Sequence, residues 1–227
     1  MKLSTLARFF LLATLTIWLA SWCSQRFVVD AAAPAAPASQ TVTVRLDGQA
    51  QGRIFEGIGG LSAGAASRFL PDYPEPYRSQ ILDYIFKPYY GASLQHFKVE
   101  IGGDTNSTWG SEPSHMHSRD DENYKRGYEW WLMKEARKRN PKIVLDILPW
   151  GTPGWIGNHQ FYSQDMIDYD LKFINAAHDI HGVDINFAGI WNETRYDREW
   201  IKALKRAVVA NNASRRAQAA RAECPPR

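Results

Sequence analysis

The chain has 227 residues, of which 44% are hydrophobic and 22% charged, so its composition is that of a globular protein and excludes disorder as the default. The formal net charge of +3 comes from the last stretch, where the basic residues between Lys205 and Arg227 greatly outnumber the acidic ones. This tail interleaves Arg with Ala and lacks a recognition motif, so it does not favour nucleic-acid binding.

The amino-terminal segment has the pattern of a secretory signal peptide. Lys2 and Arg8 precede an apolar run over residues 9–20, and small and polar residues follow it. The run is shorter than the ~20 residues that a membrane span needs, although an uncleaved signal anchor extending through Trp22 is the alternative. We therefore expect a signal peptide over residues 1–23 and entry into the secretory pathway.

An Ala- and Pro-rich linker is expected over residues 24–40, because its central stretch has no large apolar side chains to bury. Cys23 and Cys224 are the only cysteines, so a single thiol would remain after signal removal and no intrachain disulfide is expected. Sequons for N-glycosylation occur at Asn106, Asn192 and Asn212, which is compatible with secretion.

A folded domain is predicted over residues 41–210. An alternating pattern over residues 41–46 predicts a leading strand, and a second short segment over residues 53–60 closes on several glycines. The spacing of these glycines fits neither the dinucleotide-binding fingerprint nor the P-loop, so a nucleotide-binding site is not predicted here.

Strands and helices then alternate along the chain. Apolar residues at helical spacing predict a helix over residues 77–86, which Pro88 ends. The later predicted elements are a strand over 94–101, a helix over 122–139, a strand over 143–148, a helix over 164–178, a strand over 185–193 and a helix over 199–209.

This alternation predicts an α/β fold with a parallel sheet. Polar residues at successive strand ends favour the (β/α)8 TIM-barrel type over an open, doubly wound sheet. Only the first four β/α units are counted before a divergent Arg/Ala-rich tail over residues 211–227, whereas a complete barrel has eight. We therefore expect the amino-terminal half of a barrel.

The strongest functional signal is the run over residues 185–193, an apolar segment that ends in Trp191, Asn192 and Glu193. It predicts a strand buried on both faces that delivers a carboxyl group to its carboxyl end, where barrels build their active sites. Poor hydration beside aromatic walls would favour the protonated carboxyl, so Glu193 is predicted to be a general acid/base. Asn192 would bind a sugar hydroxyl and Trp191 would stack on a sugar ring. The competing interpretation is a Glu that caps the next helix.

Other acidic and histidine residues lie in the strand-end loops. Glu100, Asp104 and Asp146 are expected to have ordinary hydrogen-bonding roles. His115 and His117 have the spacing of a ligand pair, but no third ligand is apparent, so loop structure is expected there and no metal site is predicted.

Several long segments resemble the galactosylceramidase family of retaining β-glycoside hydrolases. They are Phe55 to Gly60, Tyr73 to Tyr84, Lys98 to Asp104, Glu112 to His117, Arg126 to Ala136 and Trp191 to Glu193. The resemblance covers about Arg53 to Leu204, is weaker over residues 161–177, and is lost after Ala207.

The resemblance implies a role for several residues. Glu193 would be the proton donor, Asn192 would contact the sugar 2-hydroxyl, and Thr108 and Trp150 would line the galactose pocket. It also implies a site without metal or cofactor, a lysosomal location, and a galactosylceramide or related glycosphingolipid substrate presented by a saposin-like lipid-transfer activator. Galactose preference over glucose and the oligomeric state are left open.

The family's nucleophile is a second Glu at the end of a later strand, and no position of this chain matches its motif. Retaining hydrolysis needs two carboxyl groups about 5–5.5 Å apart, one protonating the leaving oxygen and one attacking the anomeric carbon. We therefore expect a chain truncated before its nucleophile. The alternative is a non-catalytic fragment or a sugar-binding remnant.

Overall fold

The computed structural model describes residues 42–49, 52–64, 68–107 and 109–223, with side chains as far as residue 216. The predicted signal peptide and linker, over residues 1–40, lie outside the described residues. The chain divides into two compact units, residues 1–52 and 53–227.

In the first unit, the predicted leading strand is not formed. Residues 42–47 are irregular and are followed by a turn at 48–49. Val42, Val44 and Leu46 are all exposed, so their alternating pattern has no face to pack against within the described residues. Alternation without a partner strand does not produce β-structure, and this prediction was wrong.

The second unit is an α/β fold with a four-stranded parallel sheet. Its elements are β1 (Gly59–Ser62), α1 (Phe69–Asp72), α2 (Tyr77–Phe86), β2 (His96–Ile101), β3 (Asn106–Ser107), β4 (Gly110–Ser111), α3 (Glu129–Arg139), β5 (Val144–Pro149), a 3-10 turn (Ile156–Asn158), α4 (Gln164–Asp179), β6 (Phe187–Ala188) and α5 (Arg198–Glu223). The sheet order is β1-β2-β5-β6, and β3 pairs with β4 in a separate antiparallel hairpin.

The strand order follows the chain order, without the reversal that marks a doubly wound sheet. The longest pairing joins β2 to β5, from His96 opposite Val144 to Ile101 opposite Pro149. Because the strands are parallel, their carboxyl ends lie at one edge of the sheet. This edge collects the residues that follow each strand.

The core lies between one face of the sheet and the helices. Alternate residues of β2 and β5, such as Val99 and Ile147, are fully buried. Phe86 at the end of α2 packs edge-on against Phe97 of β2, with ring centroids 5.0 Å apart. Trp130 of α3 stacks on Phe173 of α4 at 4.1 Å, which gives this residue a packing role.

The opposite face of the sheet carries polar side chains. The carboxylate of Asp146 lies 3.2 Å from the Lys98 ammonium and 3.3 Å from the His96 ring nitrogen. The His96 ring stacks on Phe187 of β6, with centroids 5.9 Å apart. The strands therefore present one apolar and one charged face, rather than two apolar ones.

Two helices differ from their predicted bounds. The helix predicted over residues 122–139 begins at Glu129, because Gly127 has a φ of 91° that a helix interior does not admit. The helix predicted over 199–209 extends as Arg198–Glu223, since Ala and Arg are strong helix formers. No helix in the described part of the chain has the length and apolarity needed to cross a bilayer.

The strand predicted over residues 185–193 is reduced to Phe187–Ala188, and both residues are exposed. β6 is the last strand of the described sheet and pairs only with β5. One of its edges is therefore unpaired, and the prediction of a strand buried on both faces was wrong.

Candidate active site at the carboxyl ends of the strands

The ends of β5 and β6 bring two predicted site residues together. The backbone N–H of Asn192 donates to the carbonyl of Pro149, the last residue of β5, at 3.0 Å, and Trp150 follows directly. The indole N–H of Trp191 donates to the carbonyl of Trp150, also at 3.0 Å. Trp150 and Asn192 therefore lie on adjoining loops at one edge of the sheet.

Glu193 follows directly and is exposed. Its φ of 51° lies in the left-handed region, which is strained for a residue other than glycine. The predicted desolvation against aromatic walls is not found in the described residues, because β6 is an edge strand. The carboxyl group instead lies open at the strand end.

The contacts of Phe161 and Asp197 bear on the roles predicted for Trp191 and Glu193. Phe161 stacks on one face of the Trp191 ring, with the centroids 4.1 Å apart and the planes at 5°. Glu193 does not cap the next helix, since the Asp197 carboxylate accepts from the backbone N–H of Trp200 at 2.9 Å. The stacking of Trp191 on a sugar stays a prediction, whereas the hydrogen bond of Asp197 removes the capping interpretation of Glu193.

The remaining predicted site residue, Thr108, lies outside the described residues. Its neighbours form the β3–β4 hairpin, which carries Trp109 with 82% of its surface exposed. A cavity of about 430 Å³ is lined by Trp109, Trp150 and Ser62 together with apolar side chains. Another cavity, of about 540 Å³, lies among α4, β6 and α5 and includes none of the predicted site residues.

Buried carboxyl groups lie beneath this edge. Glu100, at 0% exposure, accepts from the Gly64 N–H at 2.6 Å and from the Ser107 hydroxyl at 3.0 and 2.8 Å. Burial raises the pKa of Glu100, although these hydrogen bonds act in the opposite direction. The predicted hydrogen-bonding role of Glu100 is confirmed.

Glu112 is buried at 2% exposure, and its carboxylate accepts from the backbone N–H of Tyr128 at 2.8 Å. Burial, with a smaller contribution from the nearby Glu100 charge, raises the pKa of Glu112 to about 7. Sequence reasoning assigned Glu112 no role, although it opens one of the segments that carry the family resemblance. Its low exposure could not be read from the sequence.

The two histidines of the H-x-H pair occupy different environments. His115 is buried and stacks on Tyr169 with centroids 4.0 Å apart, and burial lowers the pKa of His115 to about 3. The His117 ring nitrogen lies 2.6 Å from the Asp104 carboxylate, whose other oxygen accepts from the Ser114 N–H. Among the described residues, no group of three His, Cys, Asp or Glu side chains is arranged to hold a metal ion.

Comparison with known proteins identifies relatives over most of the chain. The family model described as Glycosyl hydrolase family 59 matches residues 55–221, a range that continues past the expected end of the resemblance at Ala207. The chain is 56% identical to galactocerebrosidase of Salmo salar over 159 residues, which are 68% of this chain and 24% of that protein. It is 54% identical to galactocerebrosidase of Homo sapiens over 167 residues, 71% of this chain and 24% of that protein. The chain thus spans about a quarter of the length of these relatives.

Solved structures with the same fold are more distant in sequence. An endo-beta1,6-glucanase is 19% identical with a TM-score of 0.56, over 76% of this chain and 46% of that chain. SrfJ from Salmonella typhimurium is 18% identical with a TM-score of 0.50, over 62% of this chain and 35% of that chain. At these identities the likeness concerns the fold alone.

Proposed function

The chain belongs to glycosyl hydrolase family 59, and from this membership we propose that it forms part of a galactosylceramidase that removes β-galactose from galactosylceramide and related sphingolipids. The observation that carries the proposal is the identity of 54–56% to galactocerebrosidases of Homo sapiens and Salmo salar. The family match includes the strand-end run from Trp191 to Glu193.

We infer that β1, β2, β5 and β6 are the first four strands of a (β/α)8 barrel. The inference is supported by the parallel strand order, which follows the chain order as in a barrel. It is also supported by the charged face of the sheet, where Asp146 contacts Lys98 and His96. In a barrel this face would line the interior.

We propose that Glu193 protonates the glycosidic oxygen as the bond to the anomeric carbon breaks, and later accepts a proton from the attacking water. Its exposure at the carboxyl end of β6 leaves the carboxyl group accessible to substrate. Asn192 would hold the 2-hydroxyl of galactose, and Trp150 and Thr108 would line the sugar pocket. The hydrogen bond that holds Asn192 to Pro149 supports a fixed distance between these loops.

The second carboxyl group, which attacks the anomeric carbon, is assigned to no residue of this chain. Glu100 is fully buried and its oxygens accept hydrogen bonds, while Asp146 is engaged by Lys98 and His96. Neither is presented to a substrate at the strand ends.

The proposed substrate has a long apolar part, so we propose that a saposin-like lipid-transfer protein presents it. A secretory route and a lysosomal location are proposed on the signal-peptide pattern of residues 1–23 and on the family membership.

Hydrolysis of two aryl β-galactosides, one with a poor and one with an activated leaving group, tests the role of Glu193. The activated leaving group departs without protonation, so Glu193→Gln should lower the rate on the poor leaving group by about 10²- to 10⁴-fold and much less on the activated one. Equal losses on both substrates would contradict a proton donor. Turnover by the unchanged chain that does not exceed that of the variant would reject catalysis by this chain.

A sugar-binding remnant is the second candidate, because Trp150 and Asn192 lie on adjoining loops without any assigned nucleophile. Titration with methyl β-galactoside, followed by NMR, would then show saturable binding without hydrolysis. Asn192→Ala should weaken that binding, whereas Asn212→Ala, at an exposed amide on α5, should not. Binding that is insensitive to Asn192→Ala would reject this candidate.

A further inference from the structure

Glu100 joins two loops that follow different strands. It lies near the carboxyl end of β2, and one of its oxygens accepts from the backbone N–H of Gly64, in the loop after β1, at 2.6 Å. Ser107, on strand β3 of the hairpin, directs its hydroxyl group at the two carboxylate oxygens, at 3.0 and 2.8 Å, and, at a longer distance of 3.3 Å, at the Gly110 carbonyl across the hairpin. A single buried carboxylate therefore connects the loop after β1 to the hairpin.

The two loops also touch directly at Gly64. Its φ is 69°, and a Cβ added there would lie 2.9 Å from the backbone nitrogen of Trp109 and 3.3 Å from the carbonyl oxygen of Ser107. No side chain fits between the loop and the hairpin. Glycine at this position lets the Glu100 carboxylate reach donors on both sides.

Burying a carboxylate costs free energy unless its oxygens are hydrogen-bonded. An apolar contact between these two loops would avoid that cost. What the carboxylate adds is direction, because hydrogen bonds to a charged acceptor depend on distance and angle. Ser107 is itself only 3% exposed, which shields these bonds from water. The hairpin is thereby held in one orientation.

The hairpin forms one wall of the candidate active site. Trp109 lies at its tip and borders the same cavity as Trp150. The orientation of the hairpin therefore determines where this wall meets a bound sugar.

We propose that Glu100 is a positioning residue, which orients the β3–β4 hairpin against the loop after β1 and so sets the wall of the galactose pocket without touching the sugar. The proposal rests on the proposed function for the identity of the sugar. It predicts that loss of the Glu100 hydrogen bonds loosens the hairpin and weakens sugar binding, while the sheet is unchanged.

Amide hydrogen exchange of the whole chain tests the first part. Ser107→Ala and Glu100→Gln should each speed exchange of residues 62–64 and 106–111 by about tenfold or more, because a hydrogen bond to a charged group is worth at least that factor. Ser114→Ala is the matched control, since Ser114 is also buried and its hydroxyl bonds to the Met116 carbonyl outside this network. It should leave both segments unchanged, and β2 and β5 should stay protected in all three variants.

The second part is tested by the affinity of methyl β-galactoside or, if the chain is active, by KM and kcat on an aryl β-galactoside. Ser107→Ala should raise Kd or KM about fivefold or more and leave kcat within about twofold, since the chemical step is untouched. If Glu100→Gln does not fold, Ser107→Ala decides the result alone.

Exchange that is unaltered in Ser107→Ala would overturn the positioning role, as would a loosened hairpin with unchanged affinity. A wild-type chain that binds no galactoside, although its hairpin loosens as expected in the variants, would overturn the proposed sugar site and the pocket role together. The two failures are therefore read from different measurements.

Discussion

At the scale of single residues, three buried acids make the stability of the folded protein depend on pH. Burial raises the pKa of Glu100, of Glu112 to about 7, and of Asp170 well above its ordinary value. A raised pKa means that the folded state favours the protonated carboxyl more than the unfolded state does. The stability contributed by these groups is therefore complete at low pH and is lost as pH rises through the folded-state pKa.

The buried His115 acts in the opposite direction, because its lowered pKa makes the folded state less stable as pH falls towards 5, so the contribution of Glu112 is measured against the variant Glu112→Gln. From the raised pKa of Glu112 we expect the midpoint of thermal unfolding of the unchanged chain, relative to that of the variant, to fall by on the order of 5 °C between pH 5 and pH 7.5. Surface carboxyls such as Asp121 and Asp165 have lowered pKa values and lose their contribution only at more acidic pH, so they do not oppose this trend. Glu112→Gln resembles the protonated acid and does not titrate, so the stability of the variant should fall less, or rise more, than that of the unchanged chain as pH rises. Scanning calorimetry at both pH values measures the effect, and an identical slope in the variant would contradict it.

Two glycines with similar backbone angles distinguish the free-energy cost of a steric clash from the cost of backbone strain. Gly64 and Gly182 have φ values of 69° and 66°, but a Cβ at Gly64 would meet the hairpin, whereas one at Gly182 would meet nothing within 4 Å. Gly182→Ala should cost about 1 kcal/mol for the left-handed backbone alone. Gly64→Ala should cost roughly 1–3 kcal/mol more, because backbone atoms must also shift. Urea denaturation measures both, and equal costs would show that the close approach at Gly64 is not maintained.

At the scale of elements, side chains outside the helices determine where α4 and α5 begin. The Ser163 hydroxyl accepts from the N–H of Met166 at 3.3 Å, and the Asp197 carboxylate accepts from the N–H of Trp200 at 2.9 Å. Both helices then bury apolar residues against the core, including Phe173 and Leu204. The caps therefore orient the helices before and after β6 and the loop that carries Asn192 and Glu193.

Removal of the α5 cap should destabilise the domain measurably. Asp197→Ala should lower the free energy of unfolding by about 1 kcal/mol, because the backbone N–H of Trp200 loses its acceptor. Asp197→Asn retains an oxygen that accepts from the same group and should cost much less. Chemical denaturation followed by circular dichroism gives both values, and similar losses for Ala and Asn would show that the cap bond does not stabilise α5.

At the scale of the whole molecule, the described sheet has two unpaired edges. β1 pairs only with β2, and β6 pairs only with β5. Phe187 on β6 is 58% exposed beside a cavity of about 540 Å³. Unpaired edges with exposed apolar side chains are templates for association with other chains.

A charge at this edge should reduce self-association. Phe187→Lys is expected to lower the concentration-dependent increase in light scattering, since a lysine on an edge strand opposes pairing between chains. Phe69→Lys removes another exposed aromatic ring, on helix α1 rather than on a strand, and serves as the control. Equal effects of the two substitutions would show that general surface hydrophobicity, rather than the strand edge, causes association.

The sequence by itself determined the elements whose signals are local. The helical spacing of Ile81, Leu82, Ile85 and Phe86 predicted α2 with its observed bounds, and apolar runs located β2 and β5. Motif segments identified the family, which the match over residues 55–221 confirms. These properties follow from periodicity and from runs of residue identities, which depend on no distant neighbour.

Only the tertiary structure decided which groups are buried and which are presented. Glu193 was expected to be desolvated but is exposed, because strand pairing across the sheet sets its environment. The sequence did not distinguish Glu100 from the other acids, because its hydrogen-bond donors Gly64 and Ser107 lie 36 and 7 residues away in the sequence. Burial and long-range hydrogen bonds form when separate segments of the chain come together. The pattern of residues along the sequence does not indicate which segments meet.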